Sequence, residues 1–219
     1  MTAMITLRNQ EVGVQVQSWF LPSRLFKEAS TDSFAQKALV SFAPQGLRPS
    51  DLMLEKEDEI YSYRIHFSLF RGQGKFRLDA EKLEVVFEKV RDQNDLNIIY
   101  DCLLKAQSCF TPSESKISHM VQATSHAVFG SKDERDGFLK QFGRPNAAIA
   151  HGGIIAYAPL GPTGEEIRFS LDRSYIYPEA VFLTWNVTTT SALNLEVCKA
   201  IQDGFRTMAS KFDLIVALA

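Results

Sequence analysis

Two stretches of this chain have similar sequences, and an internal repeat limits the fold more strongly than any local pattern does. The first stretch has segments at 76–79, 84–87 and 107–110 whose counterparts lie at 169–172, 179–182 and 202–205. Leu78 and Leu171 are 93 residues apart, and Phe87 and Phe182 are 95 residues apart. We therefore expect two equivalent halves. The alternative is a coincidence between two units that share only a strand–strand–helix pattern.

The sequence pattern of each half predicts a strand, a helix, a meander of antiparallel strands and a long helix. The first half covers residues 1–112 and the second covers residues 113–219. The two long helices need apolar partners, and the apolar faces of the two meanders can provide them. We therefore predict an α+β fold in which duplicated units form one curved antiparallel sheet backed by two long helices, as one compact unit.

Local patterns support this arrangement. In residues 61–70, apolar side chains alternate with polar ones that include Arg64 and His66, which is typical of an antiparallel strand with one buried face. Apolar residues recur every three or four positions in 94–109 and 192–212, the spacing of a helix with one apolar side. The other predicted elements include a weak helix at 24–38, a short strand at 39–43, a capped helix at 131–142, and strands at 117–129, 147–158, 165–175 and 179–189.

This order of elements resembles the duplicated saddle of TATA-binding-protein-like folds. It is also compatible with the duplicated effector-binding modules of bacterial regulators. The resemblance is one of topology, without a sequence motif of either family, so it implies a fold and no function.

Composition limits the class of protein. The chain has 24 basic and 26 acidic residues among 219, a net charge of −2 and a pI of about 6.1. This balance disfavours sequence-independent nucleic-acid binding through phosphate neutralisation, so a nucleic-acid-binding saddle is the least favoured function. The three cysteines lie in helical patterns without a CxxC pair, which predicts reduced, buried thiols and a cytoplasmic protein. Neither a signal-peptide pattern nor an apolar run of about 20 residues occurs, so we expect no membrane association.

The candidate site is the polar face of the predicted sheet. A curved sheet whose face carries both donors and acceptors can hold a polar small molecule or a protein partner, and such a face can also be merely solvated. We expect a non-catalytic binding protein, with homodimerisation left open. The residues predicted to bind the ligand are Arg64, His66, Arg77, Arg168, Asp172 and Asn186.

A hydrolase is the alternative function, built around His66 and Asp172 or around His151. His151 precedes two glycines, as in the oxyanion holes of esterases, but the chain has no G-x-S-x-G nucleophile elbow. His119 and His126 are seven residues apart, an odd separation that places them on opposite faces of a regular strand. The sequence therefore predicts no metal site, and it contains no cofactor motif.

Overall fold

A computed structural model describes residues 5–21, 28–57, 62–110, 116–142, 153–160 and 165–217. These residues form a mixed α/β fold, with four helices and an antiparallel sheet as predicted. The strands are β1 (Ile5–Leu21), β2 (Leu52–Glu57), β3 (Ser62–Leu69), β4 (Gly74–Leu78), β5 (Lys82–Val90), β6 (Lys116–Val128), β7 (Ile154–Leu160), β8 (Glu165–Arg173), β9 (Ala180–Thr189) and β10 (Leu214–Ala217). The helices are α1 (Glu28–Phe42), α2 (Gln93–Phe110), α3 (Lys132–Leu139) and α4 (Leu195–Ser210).

The strands belong to a single sheet with the order β2-β3-β4-β5-β1-β6-β9-β8-β7. Neighbours along this order are antiparallel, and β10 pairs in parallel with the first residues of β1. The long strands β1 and β6 form the centre, where Val16 lies opposite Val121. Outward from this pair, the order is β5, β4, β3 on one side and β9, β8, β7 on the other.

The two faces of the sheet differ because side chains alternate along each strand. In β4, Phe76 and Leu78 are buried, whereas Lys75 and Arg77 point to the opposite face. The buried face forms one core with the helices. No described helix covers the other face, which we call the open face. Its side chains include Gln15, Gln17, Arg64, His66, Lys75, Arg77, Glu84, Gln122, Tyr157, Arg168, Asp172 and Asn186.

Aromatic side chains fill the core beneath the helices. On one side of the sheet, Phe42 of α1 packs on Phe67 and Phe76, with ring centroids 5.4 Å and 5.1 Å away. On the other side, Phe169 packs on Trp185 at 5.6 Å and on Phe212 at 5.0 Å. Burying each such ring contributes about 1.5–3 kcal/mol, so these contacts hold the helices on this face.

Side-chain hydrogen bonds cap the first turns of α3 and α4. Ser131 Oγ accepts a hydrogen bond from the Glu134 amide at 3.2 Å, so Ser131 caps the helix predicted to begin there. The Glu134 carboxylate, however, accepts from the Gly130 amide rather than from the cap amide. Asn194 Oδ1 accepts from the Val197 amide at 2.9 Å and begins α4. No helix in the described part of the chain is long and apolar enough to span a membrane.

Residues 39–43 do not form the predicted strand. Residues 39–42 form the last turn of α1, which runs without a break from residue 28. Ala38 and Phe42, four residues apart, are both fully buried, while Val40 is 78% exposed. This is the spacing of a helix, and it makes α1 (15 residues) comparable in length to α2 (18) and α4 (16).

The repeat match between Phe87 and Phe182 is wrong. Phe87 is buried on the face beneath the helices, whereas Phe182 lies on the open face, with its ring 4.9 Å from that of His126. The register of the strands allows another alignment of the two stretches. Phe76 lies opposite Val85, and Phe169 lies opposite Trp185. If Phe76 is aligned with Phe169, Val85 is therefore aligned with Trp185.

Candidate functional site

The six predicted site residues all lie on the open face, but in two separate groups. The first group is Arg64 and His66 on β3 and Arg77 on β4, and the second is Arg168 and Asp172 on β8 and Asn186 on β9. Within each group the residues are neighbours, since His66 lies opposite Arg77 and Arg168 lies opposite Asn186. Four inter-strand spacings separate β4 from β9, or about 19 Å along the sheet. The residues therefore do not form one small pocket.

Carboxylates lie beside both arginines of the first group. The Glu55 carboxylate lies 3.7 Å from Arg64 Nη1 and 3.3 Å from His66 Nε2. Arg77 donates to Oδ2 of the buried Asp79 at 3.0 Å. Each arginine is therefore already paired with a carboxylate, which leaves a small net charge for a ligand to recognise.

A hydrogen-bonded carboxylate occupies the centre of the open face. Glu84 Oε1 accepts from Gln15 Nε2 at 2.8 Å, from Gln17 Nε2 at 2.6 Å and from Lys82 Nζ at 3.4 Å. Burial raises the pKa of Glu84, but the hydrogen bonds from Gln17 and Gln15 and the charge of Lys82 outweigh it, so the pKa lies below its ordinary value. Lys82 Nζ also lies 4.8 Å from the centre of the Trp19 ring. The centre is thus ordered and internally satisfied.

The second group is different, because its cation has no carboxylate partner among the described residues. Arg168 is exposed and lies between Asn186 on β9 and Tyr157 on β7. Tyr157 is 61% exposed, and Ile155 beside it on the same face is 57% exposed. Asp172 is exposed at the end of β8 and accepts from the Arg173 amide. We call Ile155, Tyr157, Arg168, Asp172 and Asn186 the β7–β9 patch.

The structure does not bring together the residues of the alternative hydrolase site. His66 on β3 and Asp172 on β8 are six inter-strand spacings apart, or about 29 Å along the sheet. A general base must lie within hydrogen-bond reach of the group that orients it, and this pair does not. His151 lies outside the described residues.

A buried serine–histidine pair was not predicted. Ser18 Oγ and His119 Nδ1 are 2.8 Å apart, and Gln107 Nε2 lies 3.4 Å from the Ser18 hydroxyl. Burial lowers the pKa of His119 to about 4. Both side chains are almost fully enclosed, at 1% and 3% exposed. A substrate cannot reach them, so the pair satisfies polar groups within the core and is not a catalytic site.

The other described histidines, and two of the buried cysteines, are placed as follows. The β6–β9 register places His119 and His126 on opposite faces, as their odd separation predicts. In the described part of the chain, no three His, Cys, Asp or Glu side chains are placed to hold a metal ion. Burial raises the pKa of Cys102 to about 12 and that of Cys198 to about 11, so neither is a thiolate near neutral pH.

An apolar cavity between α2 and α4 was also missed by sequence reasoning. It has a volume of about 110 Å³ and is floored by β1, β6 and β9. Its lining residues include Val14, Ala123 and Trp185. From the sequence, each of them is an ordinary core residue. The cavity arises only because two helices distant in the chain meet over the central strands.

No protein-family model and no curated protein matches this chain.

Proposed function

We propose that this protein is a non-catalytic binding protein that holds a protein partner on the open face, with the β7–β9 patch as the anchor. The observation that carries the proposal is the exposed Tyr157 beside Arg168, a cation without a described carboxylate partner. Tyrosine and arginine, together with tryptophan, are enriched among the residues that dominate binding at protein interfaces.

The separation of the two predicted groups on the open face favours a protein over a polar small molecule. Sites for small molecules are concave and surround most of the ligand. The two predicted groups lie about 19 Å apart on a sheet face, a separation that suits a protein interface of about 800 Å² per partner. The compensated first group and the ordered Glu84 network would then lie at the rim, where polar contacts set orientation more than affinity.

The side chains of the β7–β9 patch indicate which chemical groups the partner should present. Arg168 can donate two parallel hydrogen bonds to a carboxylate, and Asn186 beside it can donate or accept. Tyr157 and Ile155 provide an apolar contact at the outer edge of the sheet. The partner is therefore expected to present an acidic side chain next to an apolar one. We place this interaction in the cytoplasm, which the three free, buried cysteines support.

Photocrosslinking from Tyr157 tests the proposal. A benzoylphenylalanine at position 157 is expected to capture one heterologous protein in the native host. The matched control is position 40, since Val40 is also an exposed apolar residue but lies on α1, in the helical layer. The same crosslinker at position 40 is expected to leave that protein uncaptured.

Two arginine variants then show whether capture depends on the patch. Arg168→Ala is expected to reduce the yield of the crosslink about tenfold, because a charge-assisted pair is lost. Arg64→Ala removes a cation from the same face and is expected to have a small effect, because Glu55 already compensates it. Equal effects of the two variants, or crosslinks between copies of this chain alone, would contradict the proposal. Such self-crosslinks would indicate a homodimer instead.

We also propose that residues 1–112 and 113–219 are duplicated units, each closed by a helix lying on the sheet. The outward strand order from β1 and β6 is the same on both sides, which supports the proposal. With Phe76 matched to Phe169, Leu78 matches Leu171, and all four side chains are buried. The same alignment pairs Lys75 with Arg168, two exposed cations on the open face.

A further inference from the structure

The cavity between α2 and α4 lies over the centre of the sheet, where β1 pairs with β6. Its floor consists of small side chains of these two strands, namely Val12, Val14, Val16, Val121 and Ala123. Its sides are formed by α2 and α4, through residues that include Leu96, Ile99, Leu103, Ile201 and Phe205. The wall is therefore almost entirely aliphatic and aromatic.

The register of the central strands explains why the protein does not fill this space. Val14 lies opposite Ala123, and Ala123 lies opposite Trp185. Phe205 of α4 packs on the large Trp185 side chain, with the ring centroids 5.9 Å apart. Trp185 thus supports α4 at the height of a large ring, whereas the side chains next to it in the same row are short. The space above Ala123 and Val14 is therefore left between the two helices.

Three polar side chains of the wall make contacts that join α2 to α4 or lie along α4. Tyr100 of α2 donates to Gln202 Oε1 of α4 at 3.0 Å, and Gln202 Nε2 donates to Gln93 Oε1 at 2.9 Å. Arg206 contacts Asp203 at 3.5 Å and Gln93 at 3.4 Å. Gln93 and Arg206 are exposed, so these contacts lie on the side of the cavity that faces away from the sheet.

The apolar wall favours an apolar occupant over water. A buried water needs about two to four polar partners, whereas a cavity lined by apolar side chains stays dry and accepts apolar molecules. A dry cavity also lowers stability in proportion to its volume, because the atoms around it lose van der Waals contacts. A molecule that restores these contacts binds without a charge or a hydrogen bond.

We propose that this cavity binds a small uncharged apolar molecule, about the size of a single six-membered ring. In another protein an apolar cavity of about 150 Å³ holds benzene, and the cavity here has a volume of about 110 Å³. The site lies on the opposite side of the sheet from the β7–β9 patch, so this proposal and the partner proposal can fail independently.

Methyl signals in proton–carbon NMR spectra provide the test, with benzene as the probe. Ile99 and Ile201 line the cavity, and the variants Ile99→Val and Ile201→Val assign their δ-methyl signals. Saturable benzene binding is expected to shift both signals through the ring current of the probe. The δ-methyl of Ile65 is the internal control and is expected to keep its position, since Ile65 is buried on β3, away from the β1–β6 pair.

Pyridine tests the chemical class, because it has the shape of benzene and differs by one ring nitrogen that accepts hydrogen bonds. On entering an apolar site this nitrogen loses its hydrogen bonds with water. Pyridine is therefore expected to bind at least about tenfold more weakly than benzene at neutral pH. Equal affinities of the two probes overturn the apolar class.

Filling the cavity tests the location of the site. Ala123→Leu places additional atoms above the cavity floor and is expected to abolish the benzene shifts. The matched control is Gln122→Leu, which adds the same side chain at the neighbouring position on the open face and is expected to leave the shifts unchanged. Cys198→Met, in the cavity wall on α4, serves in place of Ala123→Leu if that variant does not fold. A benzene response that survives filling, or no saturable response of Ile99 and Ile201, overturns the site.

Discussion

At the scale of single residues, the polar groups buried under the helices have consequences for stability. His119 is neutral in the folded protein because burial lowers its pKa to about 4, against an ordinary value of 6.5. Between these two values the unfolded chain binds more protons than the folded one, so stability rises with pH. The contribution of His119 is complete above pH 6.5 and is lost as the pH falls from 6.5 to 4.

The variant His119→Asn tests this dependence, because its amide can occupy the position of Nδ1 beside the Ser18 hydroxyl. When the pH falls from 7 to 5, protonation of His119 in the unfolded chain is expected to lower the free energy of unfolding by about 2 kcal/mol. The variant lacks the imidazole, so it is expected not to show this loss. Urea unfolding at the two pH values measures it. An equal loss in the wild type and in His119→Asn would show that another group is responsible.

At the scale of elements, two helical glycines have different surroundings. Gly137 lies inside α3, and an added Cβ would have no neighbour within 4 Å. Gly204 lies inside α4, where an added Cβ would be 2.5 Å from Ile167 Cδ1 and 2.7 Å from Leu160 Cδ1. The second glycine therefore allows α4 to approach β7 and β8 closely.

Substitution by alanine is expected to change stability differently at the two glycines. Gly137→Ala should raise the free energy of unfolding by up to about 1 kcal/mol, the difference in helix propensity between the two residues. Gly204→Ala gains the same propensity but has to displace the ends of the buried Ile167 and the partly buried Leu160 side chains, so its net gain should be smaller or negative. Thermal unfolding of both variants measures the difference. If both variants stabilise the protein equally, the close packing of α4 on β7 and β8 does not exist.

At the scale of the whole molecule, the two halves share one sheet and one core. The central β1–β6 pair joins them, and β10 from the end of the chain pairs with the beginning of β1. A sheet that continues across the boundary near residue 112 should unfold as one cooperative unit, because neither half can expose its side of this pair independently.

The two tryptophans allow this cooperativity to be measured. Trp19 lies on β1 in the first half and Trp185 lies on β9 in the second. In urea, the fluorescence of the Trp19→Phe variant follows the second half, and that of Trp185→Phe follows the first. For each variant, the fluorescence transition is compared with the circular dichroism transition of the same variant. The midpoints of the fluorescence and circular dichroism transitions are expected to coincide in both variants. A fluorescence midpoint that departs from the circular dichroism midpoint would show that the halves are separate domains.

Local sequence patterns predicted most of the elements, and the exceptions have physical reasons. Residues 39–43 resemble a strand because they are an apolar run, and only burial of Ala38 and Phe42 against the sheet selects the helix. The strand β2 has no clear alternation, since Met53 and Leu54 are both exposed at the sheet edge. Because β2 was not predicted, the contacts of Glu55 with Arg64 and His66 could not be predicted either.

The sequence by itself determined which side chains share a face, because the periods of strands and helices are local properties of the backbone. It therefore placed Arg64, Arg168 and Asn186 on the polar face of the sheet. Tertiary structure alone decided the order of strands across the sheet, since that order depends on pairing between distant segments. That order set the separation of about 19 Å between the two polar groups. It also left Arg168 without a described carboxylate partner and brought α2 and α4 together over the cavity.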